Sequence, residues 1–243
     1  MKQKIIKWIE QKVKDAGAKG CVFGLSGGID SAVVGVLCKK AYPDKVLGLL
    51  MPCYSGEEDL KHAQELAKKF DIPTELVDLK TVNNELFVQL EGKAYDGKAM
   101  DLAIANLRPR LRMISLYYQA NKLNYLVVGT GNRSESVMGY FTKYGDGGVD
   151  LLPLGGLLKS QVRELAEELG IPKVIIERKP SAGLWHGQTD EEEMGISYEM
   201  LDKIIVGLEK KKLAGLDKKL VDKVKQKMAA TEHKRCLPPV FNP

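Results

Sequence analysis

Six consecutive residues, Ser26-Gly27-Gly28-Ile29-Asp30-Ser31, carry the strongest chemical signal in the chain. They follow an apolar run, Cys21-Val22-Phe23-Gly24-Leu25, and open a helical pattern at Ala32, Val33, Val36 and Leu37. A buried strand, a tight loop of hydroxyls and glycines, and a helix start form an anion site, because the loop amides and the helix dipole both point at bound phosphate. Gly27 and Gly28 allow close backbone approach, and Ser26 and Ser31 add hydroxyl donors. Asp30 is the exception: a carboxylate beside phosphates repels them unless a cation lies between, so the loop asks for Mg2+. The Gly-Lys-Ser/Thr ending of the Walker loop and the Gly-x-Gly-x-x-Gly of dinucleotide folds are both missing. The bland alternative is an ordinary βα turn capped by Asp30. That needs one such residue, not six in order.

A second group follows a later apolar run. Gly129-Thr130-Gly131-Asn132-Arg133-Ser134-Glu135 leaves that run, and Gly145, Gly147 and Gly148 punctuate the stretch from Gly139 to Leu154. Long ordered loops are usually functional. Glu135 is a second carboxylate that could join Asp30 on a metal, and Thr130 a donor to a nucleotide. Lys159 opens a helix pattern, where a lysine is poorly placed against the dipole; that misfit favours a ligand role. Arg108 and Arg112 read as solvated charges on a helix, and Arg110 reads equally as solvated or as an anion-binding fork. His62 reads as structural, His186 as surface, and His233-Lys234-Arg235 as a solvated basic tail.

These groups need elements to hold them. Apolar periodicity predicts strands over about 20–25, 45–50, 73–78 and 124–129, and helices over about 2–16, 31–41, 57–70, 80–90 and 98–122. Strands alternating with helices imply right-handed crossovers and a Rossmann-like, three-layer α/β fold around a mostly parallel twisted sheet of four to five strands. Ligands in such sheets sit at the C-terminal ends of strands, so residues 26–31, 51–57 and 130–135 are expected to meet along one edge. Further helices are expected over about 159–169, 191–208 and 217–230, with Asp190 and Asp217 as caps. A fifth strand is expected without a definite place, Val174-Ile175-Ile176 being too short to carry it. Nothing resembling a repeat or linker divides the 243 residues, which read as one domain with additional C-terminal helices.

The net charge of +5 is concentrated late, in lysines such as Lys203, Lys210, Lys212, Lys219 and Lys227. Aromatics do not interleave with them, so they read as solvated helix faces and no nucleic-acid partner is expected. No apolar run approaches membrane-spanning length. The amphipathic start, Met1 to Lys14, lacks the apolar core of a signal peptide, so a cytoplasmic location is expected. Cys21, Cys38, Cys53 and Cys236 show no metal or redox spacing.

The loop at Ser26–Ser31 resembles the pyrophosphate loop of the ATP pyrophosphatase superfamily. From there to the C-terminus the chain is similar to the ammonia-dependent NAD+ synthetases. The matching blocks, in order, are Ser26–Ser31, Asn106–Met113, Gly129–Glu135, Gly139–Leu154, Lys159, Lys179–Leu184 and His233–Arg235. The resemblance implies that Gly24, Leu25, Ser26, Gly27, Gly28, Ile29, Asp30 and Ser31 hold the ATP phosphates. It further implies that Thr130, Lys159 and Ser181 contact ATP, that Asp30 and Glu135 bind Mg2+, and that Arg110, Lys143, Asp150, His233 and Lys234 bind deamido-NAD+. Ser181 stands where many relatives have threonine, and the hydroxyl is kept. Asn132 and Arg133 match one branch only and receive no role. A homodimer with deamido-NAD+ near the subunit interface is also implied. The apolar face formed by Leu102, Leu111, Ile114, Leu116, Tyr117 and Tyr118 is a candidate for that contact, or for the core.

The implied reaction has two steps. The nicotinate carboxylate attacks the α-phosphate of ATP, giving an acyl-adenylate and pyrophosphate; ammonia then displaces AMP, giving NAD+. Free ammonia, or ammonia from a separate protein, is the expected donor, since the chain leaves no room for a glutaminase domain. Lys159 and Asp146 are the catalytic candidates. Lys159 would offset charge on the leaving pyrophosphate. Asp146, in the Gly145–Gly148 loop beside Lys143, would bind ammonium and accept its proton. The segment over about 178–190 is expected to form a lid. Two rival readings remain: a tRNA-modifying thiolase would need a catalytic cysteine pair or zinc cysteines and an RNA-binding appendage, and a non-catalytic ATP-binding module need not keep both Asp30 and Glu135, nor the Lys143–Asp150 block.

Overall fold

The computed structural model describes residues 1–95, 101–181 and 189–242. The chain opens with α1 (Lys2–Asp15), β1 (Gly20–Gly24), α2 (Ile29–Ala41), β2 (Val46–Leu50), α3 (Glu57–Lys69), β3 (Thr74–Leu76) and α4 (Lys80–Glu91). It continues through α5 (Leu102–Ala105), α6 (Leu107–Leu123), β4 (Tyr125–Val127), α7 (Arg133–Met138), α8 (Lys159–Leu169) and α9 (Lys173–Ile176). The last helices are α10 (Asp190–Met194), α11 (Tyr198–Glu209) and α12 (Lys218–Ala230), followed by a 3-10 turn at Glu232–Lys234.

The four strands form one parallel sheet in the order β3-β2-β1-β4. Val22 lies between Leu47 on β2 and Val127 on β4. The fold is therefore α/β and Rossmann-like. The central strands β1 and β2 are apolar on both faces, as a parallel sheet covered by helices requires, while the edge strand β3 is exposed. Phe23 and Cys21 pack with α1, α2 and α8 on one side; Val22, Leu49 and Val127 pack with Leu116 and Ala120 of α6 on the other. A third apolar cluster, centred on Tyr198, Leu201, Ile204 and Val224, joins α11 and α12 to α7. The chain runs outward from β1 to β3, then returns to the far side of β1 as β4. That reversal opens a crevice between the C-terminal ends of β1 and β4, where ligands of such sheets bind.

Three expectations need correction. The helix expected over 98–122 is two pieces in the described residues, broken at Asn106. Pro109 lies in the first turn of α6, where its missing N–H is harmless; in an unbroken helix its ring would press on the carbonyl of Ala105. The helix expected over 191–208 is also two. Gly195 closes α10 in the left-handed region, at φ 61°, and the Ser197 side chain caps α11 by accepting from Met200 N. Val174–Ile176 is not a strand but part of α9, started by Pro172. The place of a fifth strand is taken by a single parallel bridge between Val128 and Leu151.

Candidate active site

A cavity of about 480 Å3 opens at the switch point. Residues from 24–31, 51–55 and 129–135 line it together, as the strand order requires.

The first wall is the loop before α2. Ser31 Oγ donates to Gly28 O at 2.9 Å and accepts from Ser26 N at 3.2 Å. Ser26 Oγ accepts from Gly28 N at 3.3 Å. These hydroxyls therefore shape the loop itself. Gly27 sits at φ 83°, and a Cβ there would lie 2.2 Å from Asp59 O of α3, so no other residue fits. Gly28 caps α2 without a side chain, and Asp30 does not cap at all. Its carboxylate turns toward the second wall, accepting from Asn132 Nδ2 at 2.9 Å and pairing with Lys159 Nζ at 2.5 Å.

The second wall comes from α7 and α8. Asn132 and Glu135 form a reciprocal cap: Asn132 Oδ1 accepts from Glu135 N at 3.0 Å, and Glu135 Oε2 accepts from Asn132 N at 3.1 Å. Glu135 Oε1 is left to face Lys159 Nζ at 3.3 Å. Lys159, 2% exposed, thus bridges two carboxylates from elements 105 residues apart by number. Beneath it lies the ring of Tyr198, 4.9 Å from Nζ, whose hydroxyl donates to Asp190 Oδ2 at 2.8 Å.

Electrostatics follow from burial. Burial pushes the Glu135 carboxyl up to about 7, although Lys159 opposes this; Asp30 adds to the rise. Burial alone would lower the Lys159 ammonium, but the Asp30 and Glu135 carboxylates outweigh it and hold it above its ordinary value. Burial also raises the Asp190 carboxyl, against Tyr198 and Lys159. With both acids ionised, Asp30, Glu135 and Lys159 together retain one negative charge facing the cavity. Hard oxygen donors with spare negative charge are the donor set that Mg2+ prefers. The residues fit such an ion.

Across the cavity stand Arg112, Asp146 and Lys234. Arg112 donates through Nε to Met51 O and through Nη2 to Ser55 Oγ, each at 3.2 Å. Asp146 Oδ1 accepts from Thr142 N at 2.9 Å; its carboxyl is raised by enclosure in the concave wall, although its surface meets solvent. Lys234 Nζ donates to Gly139 O and Phe141 O, and burial lowers its ammonium.

Thr130 and Ser181 line the cavity, as do Gly24, Leu25 and Ile29. Of the five residues matched to deamido-NAD+, Lys234 lines it. Arg110 is exposed and donates to Lys143 O at 3.4 Å, and Lys143 Nζ donates to His233 O at 2.5 Å, so these three form a cluster of their own. Asp150 accepts from Val127 N and Tyr117 Oη, bracing β4. Residues 182–188 of the expected lid, including Ala182, Gly183, Leu184 and His186, lie outside the described residues.

Arg108 and Arg112 are not solvated charges. Arg108 is buried, stacks 4.8 Å from the Tyr54 ring and donates to Tyr95 Oη at 2.9 Å. Their spacing of four puts both on one helix face, which was the available signal. Asp190 is not a cap either: Thr189 precedes α10, and the Asp190 carboxylate is buried against Tyr198. Asp217 does cap α12, accepting from Lys219 N. Arg133 pairs with Glu209 at the surface.

Residues 1–238 match the family model described as NAD synthase. The chain is 47% identical to the NH(3)-dependent NAD(+) synthetase of Carboxydothermus hydrogenoformans, over 98% of this chain and 95% of that one. It is 46% identical to the protein of the same name from Archaeoglobus fulgidus, over 98% and 94%. Among solved structures it is similar to NMN synthetase from Francisella tularensis, with a TM-score of 0.90 at 36% identity over 99% of this chain and 97% of that one. It is also similar to NH3-dependent NAD synthetase from Campylobacter jejuni, with a TM-score of 0.83 at 31% identity over 99% and 97%. Matched over residues 1–238 and close to half identical to such synthetases over nearly its whole length, the chain belongs to the NAD synthase family.

Proposed function

We infer that this chain uses ATP to amidate deamido-NAD+ with ammonia, releasing NAD+, AMP and pyrophosphate through an acyl-adenylate. The observation that carries this reading is the meeting of Asp30, Glu135 and Lys159 in one cavity beside the phosphate loop. A carboxylate resists ammonia because its oxygen is a poor leaving group, and adenylation removes that obstacle. The loop amides and the start of α2 hold phosphate oxygens. Lys159 neutralises charge as pyrophosphate leaves, and Thr130 and Ser181 contact the nucleotide. Asp30 and Glu135 would hold Mg2+, which supplies charge neutralisation at the phosphates. Lys234, with Arg110, Lys143, Asp150 and His233, binds deamido-NAD+. Asp146 takes ammonium and accepts its proton, a role its raised carboxyl favours.

The whole chain works as one domain, and no described helix is long and apolar enough to cross a membrane; the reading places the enzyme in the cytoplasm. It functions as a homodimer. The apolar face offered for that contact divides in two: Leu116, Leu111 and Tyr117 pack toward the sheet, while Ile114 and Tyr118 stand 58% and 66% exposed one turn apart on α6. A charged residue at either exposed position should give monomers in light scattering.

The likeness to an NMN synthetase makes the mononucleotide acid the competing substrate. Purified protein incubated with ATP, Mg2+ and ammonium should release AMP with NAD+ from deamido-NAD+ or NMN from nicotinate mononucleotide, with a higher kcat/KM for the dinucleotide. A preference for nicotinate mononucleotide, or release of ADP, would refute the assignment. Asp146→Asn should depress turnover at limiting ammonium; unchanged turnover there would remove Asp146 from the mechanism.

A further inference from the structure

A lysine at the first position of a helix opposes the helix dipole. The structure contains what offsets it, on a helix far along the chain. Asp202 of α11 is 6% exposed, and both of its oxygens are engaged. Oδ2 accepts from Ser160 N at 3.0 Å, and Oδ1 accepts from Ser134 Oγ at 2.5 Å. Ser134, fully buried, in turn accepts from Lys159 N at 3.0 Å. Gln161 Oε1 takes Leu158 N at 3.0 Å. Three amides at the start of α8 are thereby satisfied, two of them through one carboxylate. Ser134 is also the residue before Glu135. One buried hydroxyl therefore ties the backbone under Lys159 to the turn that carries Glu135, and Asp202 fixes that hydroxyl.

We propose that Asp202, acting through Ser134, is a positioning residue that sets the Lys159 ammonium against Asp30 and Glu135. Asp202 lies behind the cavity wall and does not line it, so its effect must pass through α7 and α8. A buried carboxylate with two charge-assisted bonds is well suited to the task, because it holds two helix starts in fixed relation. The rotamer of a long side chain is set by where its backbone begins, and displacement of about an ångström is enough to lose about a hundredfold in rate. The inference rests on the amidation reading only for its kinetic readout.

The test compares Asp202→Asn and Ser134→Ala with Val221→Ala, a truncation in the apolar cluster shared by α11 and α12. Asp202→Asn keeps the volume but removes one acceptor. Both network variants should lower kcat by at least about tenfold while KM for deamido-NAD+ stays within about twofold. Val221→Ala should lose comparable thermal stability and keep its kcat. Ser134→Thr, which restores the hydroxyl, should recover most of the lost rate. A second readout needs no amidation: the thermal shift produced by ATP with Mg2+ should shrink in Asp202→Asn and persist in Val221→Ala. If wild type gives that shift but makes no NAD+, the amidation reading fails and the shift alone decides on Asp202. Rates that fall equally in all three variants, or an Asp202→Asn enzyme with wild-type kcat and thermal shift, would overturn the proposal. Should Asp202→Asn not fold, Ser134→Ala against Ser134→Thr decides it.

Discussion

The two ends of the cavity hold their charges in different ways. At the end formed by α2, α7 and α8, side chain meets side chain: Lys159 pairs with Asp30 and Glu135, and Tyr198 with Asp190. At the end formed by the tail, cations rest on neutral carbonyls: Lys234 on Gly139 and Phe141 in the cavity, and, outside it, Lys143 on His233 and Arg110 on Lys143. A carbonyl orients an ammonium without cancelling its charge. The first end therefore has its charges mutually dependent, so removing one alters the others. The second keeps net positive charge, which on the proposed reading would meet the carboxylate and pyrophosphate of the dinucleotide.

The sharpest way to break this contrast is Lys159→Ala. It leaves two carboxylates facing each other with no cation, and breaking a buried ion pair costs about 3–5 kcal/mol. We expect kcat to fall at least about 1,000-fold, with a clear drop in Tm by calorimetry. A variant as stable as wild type would show that the first end is not coupled. Next in size is Gly27→Ala. The left-handed φ alone costs about 1–2 kcal/mol for a residue with a Cβ, and the contact with Asp59 O adds to it. KM for ATP should rise more than about tenfold, measured by steady-state kinetics.

Lys234→Ala tests the second end. Losing one charge-assisted contact, about 1.5–3 kcal/mol, should raise KM for deamido-NAD+ tenfold or more while Tm falls little. Lys143→Ala should follow the same pattern more weakly, since Lys143 does not line the cavity. If either lowered kcat without touching KM, the two ends would not differ in kind.

The smallest effect is on stability with pH. The Glu135 carboxyl is raised from 4.5 to about 7 in the folded protein. A raised group stabilises the fold fully below its unfolded value and loses that contribution as pH rises through the folded one. Glu135→Gln should therefore be more stabilising, or less destabilising, at pH 8 than at pH 4.5, read as the change in Tm at each pH. The opposite order would place Glu135 in a fully compensated ion pair.

Much of the cavity's first wall was legible in the residues themselves because the Ser26–Ser31 loop is local. A strand, a loop and a helix start within twelve residues are enough to place Ser26, Gly27 and Asp30, and the strand order then brings Glu135 to them. Helix α7 escaped notice because six residues are too few to show a period. The breaks at Asn106 and Gly195 had their signals in Pro109 and Ser197, but strong apolar periodicity on both sides masked them. Arg108 read as solvated because what buries it, Tyr54 and Tyr95, comes from distant turns. Asp190 read as a cap for the same reason: its partner, Tyr198, lies beyond a helix break.

The resident ammonium of Lys159 also bears on how the protein behaves between turnovers. The acids that would grip a divalent ion already have an internal counterion in Lys159, so they do not face each other unmatched. Chelators should stop the chemistry yet spare the architecture, and a preparation stripped with EDTA should regain full rate within the mixing time once magnesium is restored. If Asp30 and Glu135 hold Mg2+ as proposed, Lys159 is their placeholder, and scarcity of the metal would idle the enzyme rather than unfold it.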